Sequence, residues 1–300
     1  MRNSAFLLVA AAALCASAFA QAAAGGPRFA TELPFHECDG LICMGVALDG
    51  ARPRTLMLDT GNINSTLLTD VANELHWALE PARKDGQPVA GIYLGGEHLV
   101  ALGRVAMKTG FFVFDRALLG AYKPPVDGSI AYPFFKDRIL QIDYPRHLLR
   151  ISNILTTPVA GDTAAAGTLR LVTFGRSGPP VVVGSPFTLD GKRLHAQIDT
   201  VYTGTLLVYD APLGLARKGT PQLFRYTDGG VDLLAAPASA IGFGERVIAR
   251  EPTVYFVGAG TRPVHQPDGL FEATAGNALF AHSVVTLDFH AMTLDVTPAG

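Results

Sequence analysis

Two short stretches of this 300-residue chain place an aspartate after a mainly apolar run and before a threonine. The first is Leu56-Met57-Leu58-Asp59-Thr60-Gly61 and the second Ala196-Gln197-Ile198-Asp199-Thr200-Val201. Such runs read as strands, so each carboxylate would stand where a strand ends and the chain turns. Two carboxylates brought to one place cannot both stay ionised. They share a proton and their pKa values split. Such a pair does general acid–base chemistry: the ionised partner takes a proton from a water, and the protonated partner donates to a carbonyl oxygen. Asp-Thr-Gly alone is a weak motif. Its weight comes from the context repeated around it.

The elements that would position the aspartates occur twice. Val46-Ala47-Leu48-Asp49-Gly50 precedes the first Asp-Thr, and Phe187-Thr188-Leu189-Asp190-Gly191 the second. Ser65-Thr66-Leu67-Leu68 follows the first, and Gly204-Thr205-Leu206-Leu207 the second. Each copy reads as strand, Asp-Gly turn, strand, Asp-Thr loop, strand. The ends of the halves match as well: residues 131–143 align without a gap on 276–288, and Asp127-Gly128 and Asp268-Gly269 precede them. Landmarks in the same order in both halves indicate a duplication. Helix is scarce. Asp70 to Leu79 predicts one short helix ended by Pro81, and Lys136–Arg138 and Ala278–Ala281 predict a turn each. The fold class expected is all-β with few short helices.

Composition fits that class. Hydrophobic residues make up 49% and charged ones 17%, with 32 Gly and 20 Pro, which suits short strands and tight turns rather than disorder or a helical array. A net charge of −2 supplies no attraction for nucleic acid or an anionic membrane, and neither is expected as a partner. Arg2, the apolar stretch Phe6–Leu14 and Ala18-Phe19-Ala20 read as a secretory signal peptide over 1–20, cut after Ala20. A periplasmic or secreted protein follows. Leu14 ahead of Cys15 does not suit lipidation. Cys38 and Cys43 flank Asp39-Gly40, a hairpin dipeptide, so export makes a short disulfide plausible there. The eight His residues show no metal-ligand spacing, and no metal or cofactor is expected.

Taken together, the chain resembles the pepsin and retropepsin aspartic peptidases over about residues 30 to 298. The carriers are Leu56–Gly61 with Asp127-Gly128-Ser129-Ile130-Ala131, and Ala196–Thr200 with Ala275-Gly276-Asn277. The resemblance implies a bilobed pepsin-like fold of two tandem retropepsin-like lobes, 28–153 and 168–298, joined by a linker at 154–167. It implies an endopeptidase that activates water between Asp59 and Asp199 and acts on peptides or proteins. The chain would work as a monomer, its two lobes related by an internal pseudo-twofold. Thr60 and Thr200 would tie the two loops together, and Gly61 would let backbone N–H groups approach the carboxylates. A flap should cover the substrate, with Gly91–Gly96 the candidate in the first half (Tyr93, Gly95 and Gly96) and Tyr226–Gly230 in the second. Three departures stand out. Val201 replaces the second glycine, Tyr202 fills a site usually small, and Ala131 stands where a bracing glycine is expected. The first Asp loop also reads as one residue longer than usual. The alternative these raise is a catalytically impaired relative that holds peptides or proteins between its lobes.

Overall fold

Asp-Gly turns organise the strands. Asp39-Gly40, Asp49-Gly50, Asp85-Gly86 and Asp190-Gly191 all take positive φ at both residues, the geometry whose twist suits a two-residue hairpin. The computed structural model describes residues 29–119, 125–155, 167–173, 180–209, 221–226, 229–257 and 270–299. The predicted signal peptide, residues 156–166 of the predicted linker, and residues 227–228 lie outside these. The fold is all-β with three short helices among the described residues.

Two sheets carry the described strands. One has eight strands, in the order His36–Cys38, Leu41–Leu48, Arg54–Asp59, Gly128–Ala131, Ser65–Leu68, Val105–Phe114, Gln87–Leu102 and Glu80–Lys84. The other contains the second-half strands together with Phe29–Pro34, Ile139–Asp143 and Leu148–Ser152.

The sequence repeat reappears as a repeat of strand pairing. Arg54–Asp59 runs parallel to Gly128–Ala131; that strand is antiparallel to Ser65–Leu68, which is parallel to Val105–Phe114. In the second half Lys192–Ile198 runs parallel to Ala273–Ala275; that strand is antiparallel to Leu206–Val208, which is parallel to Thr253–Val257. Turn chemistry repeats too. Asp49 Oδ1 accepts the Leu99 N–H at 2.9 Å, and Asp190 Oδ1 accepts those of Ser239 and Ala240 at 2.7 and 2.9 Å. The aligned ends lie side by side: Ile139–Asp143 pairs antiparallel with Ser283–Asp288, and Gln141 faces Thr286, its own counterpart in the repeat, with a 3.1 Å side-chain bond.

Phe134, Phe135, Phe187, Phe243, Phe256 and Phe280 are fully buried in the core cluster beneath these strands. Each contributes roughly 1.5–3 kcal/mol by burial. Helices depart from the expected positions. The first spans Thr69–Glu74 and stops early because His76 takes φ +57°, with the Trp77 N–H turned back to the Ala72 carbonyl. Pro81 does not terminate it but sits within the strand Glu80–Lys84, whose pairing shifts register there. Trp77 is buried, stacked on His98 at 3.5 Å, whereas His76 beside it is exposed. The other two helices are Tyr132–Phe135, one turn ahead of the predicted Lys136–Arg138, and Asn277–Phe280. Pro133 in the first turn of Tyr132–Phe135 favours the earlier start.

Candidate active site

Both aspartates stand where the repeat puts them, at the ends of matching strands. Asp59 closes Arg54–Asp59 and pairs with Ala131; the Asp199 N–H, one residue past Lys192–Ile198, donates to the Ala275 carbonyl at 3.0 Å. Ala131 therefore occupies in the first half the place that Gly276 holds in the second. Counted between paired positions, the longer Asp loop is the second: Thr66 faces Ser129 seven residues after Asp59, and Leu207 faces Thr274 eight after Asp199. A Cβ on Gly276 would press on the ring and backbone of Tyr202, so the large residue after Val201 fits because its neighbour has no side chain.

The two loops hold each other through their threonines. Thr60 Oγ1 donates to the Ile198 carbonyl at 2.9 Å, and Thr200 Oγ1 donates to the Leu58 carbonyl at 2.6 Å. Each hydroxyl also accepts from the opposite threonine's N–H, Thr60 N to Thr200 Oγ1 at 3.0 Å and Thr200 N to Thr60 Oγ1 at 3.3 Å. Thr60 and Thr200 are buried, so every one of these bonds is shielded from water.

This clamp brings the carboxylates together. A Cβ added to Gly61 would lie 2.6 Å from Asp199 Oδ1 and 2.8 Å from Oδ2, so the first loop's backbone lies directly against the second carboxylate. Burial pushes the Asp59 carboxyl well above the ordinary carboxylate range, and the Asp199 charge pushes the same way. The Gly61 N–H and the Asn62 and Ser129 side chains bond to Asp59 and pull in the opposite direction. Burial also raises Asp199, opposed by the N–H groups of Val201 and Tyr202, the former 2.9 Å from Oδ1. The pair titrates as one unit, with proton loss delayed to higher pH.

Several contributors escaped the motif. Asn62 and Ser129 bond to Asp59, and Ser129 Oγ is itself 2.8 Å from Thr66 Oγ1. Gln197, two residues before Asp199, reaches across to the Gly61 carbonyl at 2.9 Å. Asn277 donates through Nδ2 to the Thr200 carbonyl at 2.7 Å and to the Gly40 carbonyl at 2.9 Å, while the buried Tyr144 hydroxyl donates to its Oδ1 at 2.9 Å. Position in the repeat was the one available signal: Asn62 and Tyr202 are counterparts, as are Met57 and Gln197, and Tyr132 and Asn277. Their types differ, so comparing the copies by residue identity hides them. Val201 packs with Met57, Cys38 and the buried cluster of Leu41, Cys43 and Val126.

The predicted first-half flap needs correcting. The hairpin in that place is Glu80–Lys84 with Gln87–Leu102, and its tip is Asp85-Gly86. Gly95 and Gly96 instead form a bulge within the long strand, where the register to Val105–Phe114 shifts. A Cβ on Gly95 would lie 2.9 Å from Val113 Cγ2 and 3.3 Å from Trp77 Cε3, so close packing explains this glycine. Tyr93 is half-buried on the same strand, opposite Pro81 and Val113, and packs against the core. In the second half Pro221–Tyr226 and Gly229–Pro237 do form a hairpin around the expected segment, whose residues 227–228 lie outside the described ones.

Cys38 and Cys43 form the disulfide, closing the hairpin whose tip is Asp39-Gly40. His36 lies beside it, one potential ligand atom from each of the three residues falling within 4.8 Å of the others. With both sulfurs joined to each other, neither is available as a thiolate ligand. No protein-family profile and no curated protein matches this chain.

Proposed function

We propose that the chain is an aspartic endopeptidase of the pepsin and retropepsin type, with Asp59 and Asp199 activating one water between them. The observation that carries this reading is the reciprocal clamp of Thr60 and Thr200, which holds two carboxyls of raised pKa, one buried and one half-buried, against each other. At a pH where the pair holds one proton, the ionised carboxylate takes a proton from the water as its oxygen attacks the scissile carbonyl. The protonated partner donates to the carbonyl oxygen, and collapse of the tetrahedral species returns a proton to the leaving amine. The proposed architecture is two lobes, 28–153 and 168–298, related by a pseudo-twofold within one monomer. Repeated strand pairing and the meeting of counterparts at Gln141–Thr286 and Thr60–Thr200 support it. Export follows from the signal-like start, and N-terminal sequencing of protein recovered outside the cytoplasm should find Gln21 first.

The second reading, a protein that binds peptides without cutting them, rests on Val201. Against it, Val201 keeps its N–H on Asp199 and directs its bulk into an apolar cluster. Hydrolysis of denatured protein from acidic to neutral pH separates the two. Asp59→Asn and Asp199→Asn should each lower the rate at least about a hundredfold while leaving the fold intact. Cleavage that persists in both variants overturns the dyad. Tight peptide binding with no cleavage by the natural chain establishes the second reading instead.

A further inference from the structure

The two Asp loops are not supported alike. Beneath the second one lies the disulfide-closed hairpin of the opposite half. Gly40, at its tip with φ +79°, comes so close to Thr203 that an added Cβ would lie 3.1 Å from Thr203 Cβ. The Gly40 carbonyl shares the Asn277 amide with the Thr200 carbonyl, and Tyr144 fixes that amide from its other end. Val201 rests in the cluster that contains Cys43, with Cys38 at its edge. Thr200, Val201 and Thr203 thus all lean on a turn whose shape is fixed by Cys38–Cys43. One backbone bond is common to both halves, Tyr132 N to the Asn62 carbonyl at 3.2 Å and Asn277 N to the Tyr202 carbonyl at 2.9 Å; the side-chain link from Asn277 to the hairpin is what the second half adds.

We propose that the Cys38–Cys43 hairpin, acting through Asn277, is a redox-responsive positioning device for Asp199. A dithiol reductant would attack the sulfur of Cys38, the less buried of the two residues, and expel Cys43 as thiolate beside the His36 imidazole. The reductant's second thiol then resolves the mixed disulfide. Two electrons and two protons pass to Cys38 and Cys43, and the reductant leaves as its own disulfide. The open hairpin releases Gly40 from Asn277 and loosens the floor under Val201, while the Asp59 loop keeps its own support.

Only the activity arm of the test rests on the peptidase reading; the structural arm does not. Amide hydrogen exchange is compared between the oxidised chain, the same chain held in excess dithiol, Cys38→Ser/Cys43→Ser and Asn277→Ala. Exchange at Val201 and Tyr202 should rise about tenfold, the effect of losing one buried hydrogen bond and its packing, while Gly61 and Asn62 stay within about twofold. The 13C-detected titration of the Asp199 carboxyl should shift more than that of Asp59. Where the double serine variant fails to fold, reduction of the natural chain in place supplies the same comparison. Equal change in both loops would mark general destabilisation and overturn the proposal, as would no change in either. If the chain cleaves peptides, reduction should lower kcat with KM held within about twofold, as loss of a positioning contact does. A chain that cleaves nothing yet shows the asymmetric exchange loses its peptidase reading and keeps this one.

Discussion

The Asp59 loop and the Asp199 loop hold the same backbone partners and differ in what surrounds them. Asp59 is buried and takes side-chain bonds from Asn62 and Ser129, while Asp199 is half-buried and bonds through the backbone of Val201 and Tyr202. Gly61 lies against the opposing carboxylate, and its counterpart Val201 lies against a disulfide hairpin. The strand residues reaching across to these two positions differ in the matching sense: Gln197 hydrogen-bonds the Gly61 carbonyl, and Met57 packs on Val201. A duplicated site can therefore keep its symmetric clamp while each copy finds a separate solution for the residue after threonine.

That comparison breaks most sharply at Gly61. Gly61→Val should drive methyl groups into the Asp199 carboxylate, costing about 1–3 kcal/mol by overpacking. Displacing the dyad by even about 1 Å should cut hydrolysis roughly a hundredfold. Thermal unfolding and peptide hydrolysis measure the two effects. Equal tolerance of valine at 61 and 201 would end the argument that the copies differ.

The clamp is the part both copies share, so its two halves should cost alike. Thr60→Val strips the Ile198 carbonyl and the Thr200 N–H of their partner, and Thr200→Val does the same to Leu58 and Thr60. Each should destabilise by about 1–3 kcal/mol. Because the hydroxyls bond into one network, the double variant should fall short of the sum by roughly 0.5–3 kcal/mol. Denaturant unfolding of the four species measures this coupling, and strict additivity would show that the loops are held independently.

Proton linkage supplies a smaller effect. Both carboxyls sit above the ordinary value of 3.8 because of burial, so over this range the folded chain binds protons more tightly than the unfolded one. The contribution of the pair to stability is full below that value and declines as pH rises through the raised folded values. Asp59→Asn removes the desolvated charge, and its Tm should exceed that of the natural chain near neutral pH. The gap should close as pH falls toward 3.8. A gap that widens on acidification would reverse the sign of the assigned shifts.

The succession of strands and turns along each copy, and the place of both aspartates at strand ends, were legible because each rests on local chemistry: Asp-Gly pairs take positive φ, apolar runs become buried strands, and the copies corroborate each other. Gly95-Gly96 misled because a glycine pair suits a bulge packed on Trp77 as well as a hairpin tip, and only pairing with Val105–Phe114 decides between them. The first helix ended early at His76, whose positive φ no residue pattern announces. Gln197, Asn277 and Gly40 were illegible for a different reason. Their roles are contacts between positions more than a hundred residues apart, and nothing in a single copy marks them.

Val201 carries the smallest expected effect and the most discriminating one. Its side chain is half-buried against Met57 and the Cys38–Cys43 hairpin, so Val201→Gly loses apolar contact and gains chain freedom in the unfolded state, together roughly 1 kcal/mol. The Asp199 carboxylate should keep the residue-201 N–H, since that bond belongs to the backbone. Hydrolysis should then change by less than about threefold, because a substituent that packs on the hairpin takes no part in the transition state. Loss of Tm with activity retained would confirm valine as a packing residue in a working loop. A rise of tenfold or more, with the fold unchanged, would mean that valine holds the loop away from its productive geometry, and the chain as it stands would then be the peptide binder.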